Sequence, residues 1–301
     1  MHIFIGVFNV SYFFTMLSMK LFLTLVLFIS LFFSQSCSHK QKTTGVKNDK
    51  TQIVDTVEEN CTTAFFNSGE KENNSQNVFV EVDGRKSTLA AFIDTVTAGD
   101  DRLKEFVSTG LFDLDGDGKK ELVMNGYTGG AHCCDIFHFF ENIEPNTYRH
   151  VGSTFAGDVC PVKGNTFNFY FFQSLGYFFT CYACGYSTDE YTPIGDKAFF
   201  SFKYDKGKLV IIPGNAKQKE YLIANLKQLS KQPYKKIEDD GMDDGLRKEY
   251  ALTIATYYFS FGKDMGDTKM LFDKYYTFPD ATKVWNELAS NLQYIADNND
   301  F

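Results

Sequence analysis

FDLDGDGKKELVMNGY, Phe112–Tyr127, is the stretch whose reading settles the fold class. Its first half places carboxylates at Asp113, Asp115 and Asp117, with Gly116 and Gly118 free to turn the backbone. Its second half, ELVMNGY, is short, apolar and strand-like, and the run ahead of it closes on a turn. An acidic turn here leads into a strand, one of the closely spaced strands on which an antiparallel sheet is expected.

Alternate acids in a tight loop suit a hard cation, because calcium takes six to eight oxygens at about 2.3–2.6 Å. Counting from Asp113, the carboxylates fall at positions 1, 3, 5 and 9, the last being Glu121, with the Lys119 carbonyl available at position 7. Four such groups would repel one another without a cation. An EF-hand needs a bidentate Glu at position 12 and a following helix; here position 12 is Met124, inside the strand. The run instead resembles the calcium loop of FG-GAP/VCBS-type β-repeats, DxDGDGxxD/E, over roughly Thr109 to Gly130. The resemblance implies a calcium ion held by Asp113, Asp115, Asp117 and Glu121 in a turn between two strands. Glu121 stands where Asp is commoner, and the motif occurs once rather than in series.

From Gly110 to Pro213, ELVMNGY, DIFHFF, TYRHVGSTF, TFNFYFF, GYFFTCYA, AFFSFKY and KLVII read as strands between Gly, Asn and Asp turns. Phe167–Phe179 reads as a hairpin turning at Ser174-Leu175-Gly176, and KYDKGKLVII as another turning at Asp205-Lys206-Gly207. Upstream, NVFVEV is a strand ending at Asp83-Gly84, STLAAFIDTV a helix capped by Ser87, and DDRLKEFV a short helix stopped near Gly110. After Pro213 the apolar period becomes 3.6: Leu222, Leu226 and Leu229, then Leu246, Tyr250, Ile254 and Phe261, then Val284, Leu288, Leu292 and Ile295. The acidic link Glu238–Gly245 divides the first two helices, and Pro279-Asp280 opens the last. The expected class is α+β: an antiparallel β-rich domain (sandwich or propeller-like sheet) over 76–213, followed by an α-helical segment over 214–301.

The first 36 residues contain no acid, and LFLTLVLFISLFF follows Met19-Lys20. This is signal-peptide layout over 1–36, with Met19 the expected start, and the run is too short to span a bilayer. SQSC, ending at Cys37, resembles a bacterial lipoprotein signal with Ser34 in place of the usual Leu. The resemblance implies lipidation of Cys37 and a lipid anchor in the cell envelope, at the outer membrane or periplasmic face. The alternative is ordinary secretion with cleavage near Ser36. Residues 37–75 are polar and are expected to be a flexible tether. Removing 1–36 takes one Lys and no acid, leaving a net charge of −9, which argues against nucleic acid as a partner.

Six further cysteines, Cys61, Cys133, Cys134, Cys160, Cys181 and Cys184, are disulfide candidates in an exported chain, with fifteen pairings open. His132, Cys133, Cys181 and Cys184 also form a possible zinc set, and His132 with Cys133 or Cys134 a possible thiol–imidazole pair. His138 and His150 lie on expected strands without an acidic or Ser partner at any recognisable spacing, and no nucleophile-elbow, metalloprotease or phosphate-loop motif is present. The aromatic run Phe167–Phe179 offers either a core or a face for a glycan or protein ligand. The expectation is a non-enzymatic envelope lipoprotein with a structural calcium loop; the alternative is an exported hydrolase using the Cys/His pair or a divalent ion.

Overall fold

Phe79–Val82 (β1) and Arg85–Thr88 (β2) form a hairpin across Asp83-Gly84, both at positive φ. Ser108–Phe112 (β3) and Glu121–Tyr127 (β4) form a second, with Phe112 opposite Glu121, so the acidic run is the loop of a hairpin. Asp135–Glu144 (β5) and Thr147–Phe155 (β6) complete a six-stranded sheet in the order β2-β1-β6-β5-β4-β3, antiparallel except for the β1–β6 pair. Asp158–Lys163 (β7), Thr166–Tyr170 (β8), Phe199–Tyr204 (β9) and Leu209–Ile212 (β10) make an antiparallel second sheet, ordered β10-β9-β8-β7. The computed structural model describes residues 54–71, 75–129, 135–237 and 241–301, with side chains from Cys61 onward. The class is α+β, two antiparallel-rich sheets with a helical C-terminal segment.

Alternation along each strand sends side chains to opposite faces, and both faces of the first sheet are covered. Val123, Phe137 and Phe139 point toward the second sheet, where Phe139 meets Phe167 at 5.2 Å and Phe202 at 6.0 Å between ring centroids. Leu122, Met124 and Phe140 point the other way, under Leu89–Val96 (α2) and its Phe92 and Ile93. Thr88, the last residue of β2, rather than Ser87, caps α2 by accepting from the Ala91 N–H at 3.2 Å. Asp101–Lys104 (α3) is a single turn capped by Asp100. Gly110 does not stop it; that glycine is buried in the middle of β3, where a Cβ would meet the Phe112 ring.

Two larger expectations also fail. Part of the presumed tether is a helix, Val54–Ser68 (α1), whose Phe65 and Phe66 enter the core; Phe65 stacks on Phe112 at 4.0 Å. Cys61 binds Cys160 of β7, and Glu70 exchanges backbone hydrogen bonds with Leu111. Phe167–Phe179 is not a hairpin: after Tyr170 the chain turns into a short helix, Phe172–Leu175 (α4), and GYFFTCYA forms no strand. A continuous apolar run cannot distinguish a buried strand from a buried helix. Of those aromatics Phe167, Phe169 and Phe171 are fully buried and belong to the core.

Ala216–Leu229 (α5), Leu246–Ser260 (α6), Met265–Tyr275 (α7) and Ala281–Asp297 (α8) share one core with the second sheet instead of forming a separate bundle. Phe259 of α6 stacks on Phe200 at 5.0 Å, and Phe301 meets Phe200 and Phe202 at 4.9 and 5.1 Å. Nearly every residue of α6 is buried, on all sides. No helix among the described residues is long and apolar enough to cross a membrane.

Burying α6 includes burying Arg247, Lys248 and Glu249 in its first turn. Arg247 donates to Asp243 Oδ2 at 2.6 Å, to Asp280 Oδ2 at 2.5 and 2.8 Å, and to the Lys235 carbonyl at 2.9 Å. Removing one partner of such a set strands the other charges in the interior, at about 3–5 kcal/mol. Arg247→Met is thus expected to lower unfolding stability by about that amount. Urea denaturation checks it, and a loss below about 1 kcal/mol would contradict the buried-network account.

Candidate functional site

The loop Asp113–Lys120 closes β3 onto β4 through its own side chains. Asp113 accepts the Gly116 N–H at 2.8 Å and the Gly118 N–H at 3.2 Å, Asp115 the Asp117 N–H at 3.3 Å, and Asp117 the Lys119 N–H at 2.7 Å. Gly116 and Gly118 sit at φ +78° and +85°, where a side chain would be strained. The outcome is three exposed carboxylates, each offering an oxygen within 4.8 Å of the others, the one such metal-capable group among the described residues. Three hard, water-accessible oxygen donors fit calcium better than a softer ion.

Glu121 lies outside that trio. It is buried at the start of β4 and accepts the Leu114 N–H at 2.7 Å, bracing the loop from beneath. Burial pushes its carboxyl up to about 7, and the nearby charges of Asp115 and Asp117 add to the rise against the pull of the Leu114 N–H. Lys119 contributes its N–H to the loop, as above. Beside it, Lys120 pairs with Glu70, tying the hairpin to the end of α1.

Cys181 and Cys184 are bonded to each other, which takes both out of the zinc set. Cys61–Cys160 is the other disulfide among the described residues, so four of the six candidates are paired. His132, Cys133, Cys134 and the lipidation candidate Cys37 lie outside the described residues, as do Glu238, Asp239 and Asp240 of the acidic link. Asp243 serves the first turn of α6, accepting the Gly245 and Arg247 N–H groups, so that part of the link is a helix start.

His138 and His150, which sequence spacing left without a partner, face each other across β5 and β6 with ring nitrogens 3.3 Å apart. Phe92 of α2 lies edge-on to His138 at 5.0 Å. Nothing in the intervals between these residues announces the pair; it comes from strand register. No protein family, curated protein or solved structure matches this chain, so the roles of these residues rest on its own geometry.

Burial, with the neighbouring His150, drives His138 down to about 3 from its usual 6.5, so the imidazole is neutral in the fold. The unfolded chain protonates it below about 6.5 and the fold resists until about 3, so stability holds above that window and falls as pH drops through it. The expected loss is roughly 1.4 kcal/mol per pH unit, about 2 kcal/mol between pH 7 and pH 5. Replacing His138 by Leu should flatten this slope in urea titrations at several pH values. An unchanged slope would assign the acid sensitivity elsewhere.

Proposed function

We propose that this protein is a non-enzymatic lipoprotein of the cell envelope, anchored through Cys37, whose β-domain is stiffened by one calcium ion at the Asp113–Glu121 loop. The convergence of Asp113, Asp115 and Asp117 at a hairpin tip is the observation that carries the reading. In it, Asp113, Asp115 and Asp117 supply carboxylate oxygens, Lys119 a carbonyl, and Glu121 its charge and the brace on Leu114. The ion would cancel the mutual repulsion of the trio and lock the β3–β4 loop.

The position of the loop gives that stiffness a use. Its strands carry the Glu70–Leu111 bridge and the Phe65–Phe112 stack, and Lys120 reaches Glu70. Helix α1 is the first described element after the lipidation candidate. It is fastened twice, by the disulfide to β7 and by the bridge to β3. A calcium-locked hairpin and a disulfide together would hold the body of the domain to the segment leading toward the membrane.

Calcium in such extracellular loops binds at about 10⁻⁴–10⁻³ M, and an ion that binds only the fold raises its melting temperature. At about 100 times Kd the gain is roughly 2.7 kcal/mol, which for a domain of this size is a rise of roughly 5–10 °C. Asp113→Ala/Asp117→Ala should abolish the rise in scanning fluorimetry; a rise that survives both substitutions rules the loop out. Alkylation without reductant, read by mass spectrometry, separates this reading from the thiol hydrolase. All six candidate cysteines should stay unlabelled, whereas a labelled Cys133 or Cys134 would favour the enzyme.

A further inference from the structure

The two disulfides among the described residues differ in what they join. Cys61–Cys160 links residues 99 apart in sequence and ties α1 to β7, whereas Cys181 and Cys184 are 3 apart and their bond closes a single turn. The stabilisation a disulfide gives grows with the loop it closes, so the second bond contributes the less. That turn is also fastened without it. Lys248 donates to the carbonyls of Gly176, Cys181 and Tyr182 at 3.1, 3.2 and 2.9 Å, and the Cys184 N–H donates to the Cys181 carbonyl at 3.1 Å. On the N-terminal side, the Asp243 N–H donates to the Phe179 carbonyl at 2.7 Å, and the Thr180 hydroxyl to the Asp243 carbonyl at 3.2 Å. The ring of Tyr182, between the two cysteines, lies edge-on to Phe172 at 4.9 Å.

The bond is also placed for attack. Cys184 and its neighbours Ala183 and Gly185 are exposed, while Cys181 is half-buried. A thiolate arriving from solvent therefore meets the Cys184 sulfur first, and Cys181 is the sulfur expelled. The Lys248 ammonium, on a residue only 1% exposed, is held on the backbone carbonyls of Cys181 and Tyr182. Buried there, its charge is little screened by salt. A nearby cation favours the thiolate, and a better-stabilised thiolate leaves faster.

We propose that Cys181–Cys184 is a redox-active disulfide that takes two electrons from an external dithiol. One thiolate of the dithiol attacks the Cys184 Sγ; the bond to Cys181 breaks, and its electron pair leaves on the Cys181 Sγ. The second thiol of the dithiol, deprotonated, then attacks the first sulfur, closes the dithiol's own disulfide and releases Cys184 as a thiolate. The dithiol is thereby oxidised by two electrons, and its two protons end on Cys181 and Cys184. A monothiol stops at the mixed disulfide on Cys184. The hydrogen bonds of Lys248 and Asp243 hold the loop in both states, so the chain changes redox state without unfolding. One dithiol is consumed per chain, and the inference is independent of calcium binding at the acidic loop.

Timed reduction of the full mature chain by dithiothreitol, quenched with iodoacetamide and read by peptide mass spectrometry, tests it. Cys181 and Cys184 should become alkylated at least about tenfold faster than Cys61 and Cys160 in the same sample. With glutathione, a monothiol, the quenched chain should carry glutathione on Cys184 and the alkyl group on Cys181. Lys248→Met should slow reduction of this bond about three- to tenfold and leave that of Cys61–Cys160 unchanged. If Lys248→Met does not fold, the selectivity and the site of the adduct decide the question. Cys181→Ser/Cys184→Ser should lower the melting temperature by about half, or less, of the fall caused by Cys61→Ser/Cys160→Ser. Equal reduction rates for the two bonds would overturn the proposal, as would glutathione on Cys181 or a folded Lys248→Met chain reduced at the parent rate. A melting loss at Cys181 and Cys184 as large as that at Cys61 and Cys160 would overturn it too, by making the bond a structural one.

Discussion

The first turn of α6 is the constraint around which the C-terminal half is organised. Three consecutive charged residues, Arg247, Lys248 and Glu249, are each no more than 3% exposed, and each must find compensation in a different direction. Arg247 takes Asp243 and Asp280, joining the link before α6 to the turn before α8. Lys248 donates to the carbonyls of Gly176, Cys181 and Tyr182 at 2.9–3.2 Å and so fixes the loop after α4; burial pulls its pKa down to about 8. Glu249 accepts from the Tyr191 hydroxyl and the Ile194 N–H, both at 2.9 Å. One helical turn thus sets the positions of segments that carry little regular structure of their own.

This explains why residues 176–198 can lack strands and still be ordered. Such a segment would leave buried carbonyls unsatisfied if nothing donated to them. Lys248 supplies three donors to that stretch, and the Cys181–Cys184 bond closes its turn. Helical spacing showed Leu246, Tyr250 and Ile254 as a core face, and they are buried. It did not show that the opposite face is buried as well. The charges at 247–249 look in sequence like an ordinary solvated helix start, and only the covering loop makes them interior.

The sheets were legible where alternation was clean. ELVMNGY, TYRHVGSTF and AFFSFKY each carry one apolar set per face, and each is a strand. β7 escaped detection because DVCPVK contains Pro161, which argues against a strand; it is tolerated there because β7 lies at a sheet edge, beside a register shift. Helix α1 escaped for a different reason. Its own composition is polar, and its order comes from contacts distant in sequence: Phe65 to Phe112 and Cys61 to Cys160. The acidic loop was visible because its carboxylates are contiguous. The cleft that Glu105, Asp135 and Asp158 line at the other end of the β3–β4 hairpin was not, because these residues meet only through the fold.

Helix α1 lies between the two places where this chain gathers negative charge. Phe65 and Ser68 border the groove next to Asp113, Leu114 and Lys120, while Thr62 and Phe66 border the cleft near Asp135 and Asp158. The two regions also share the β3–β4 hairpin, one at each end. Interiors transmit displacement because they are close-packed. The rings of Phe65 and Phe66 are buried 5.3 Å apart between these regions, so a shift of α1 that reshapes one wall must reshape the other. The disulfide to β7 and the bridge to β3 restrain that shift from both sides. Fastening α1 therefore does more than attach the domain to the chain upstream: it keeps the acidic loop and the cleft in fixed register.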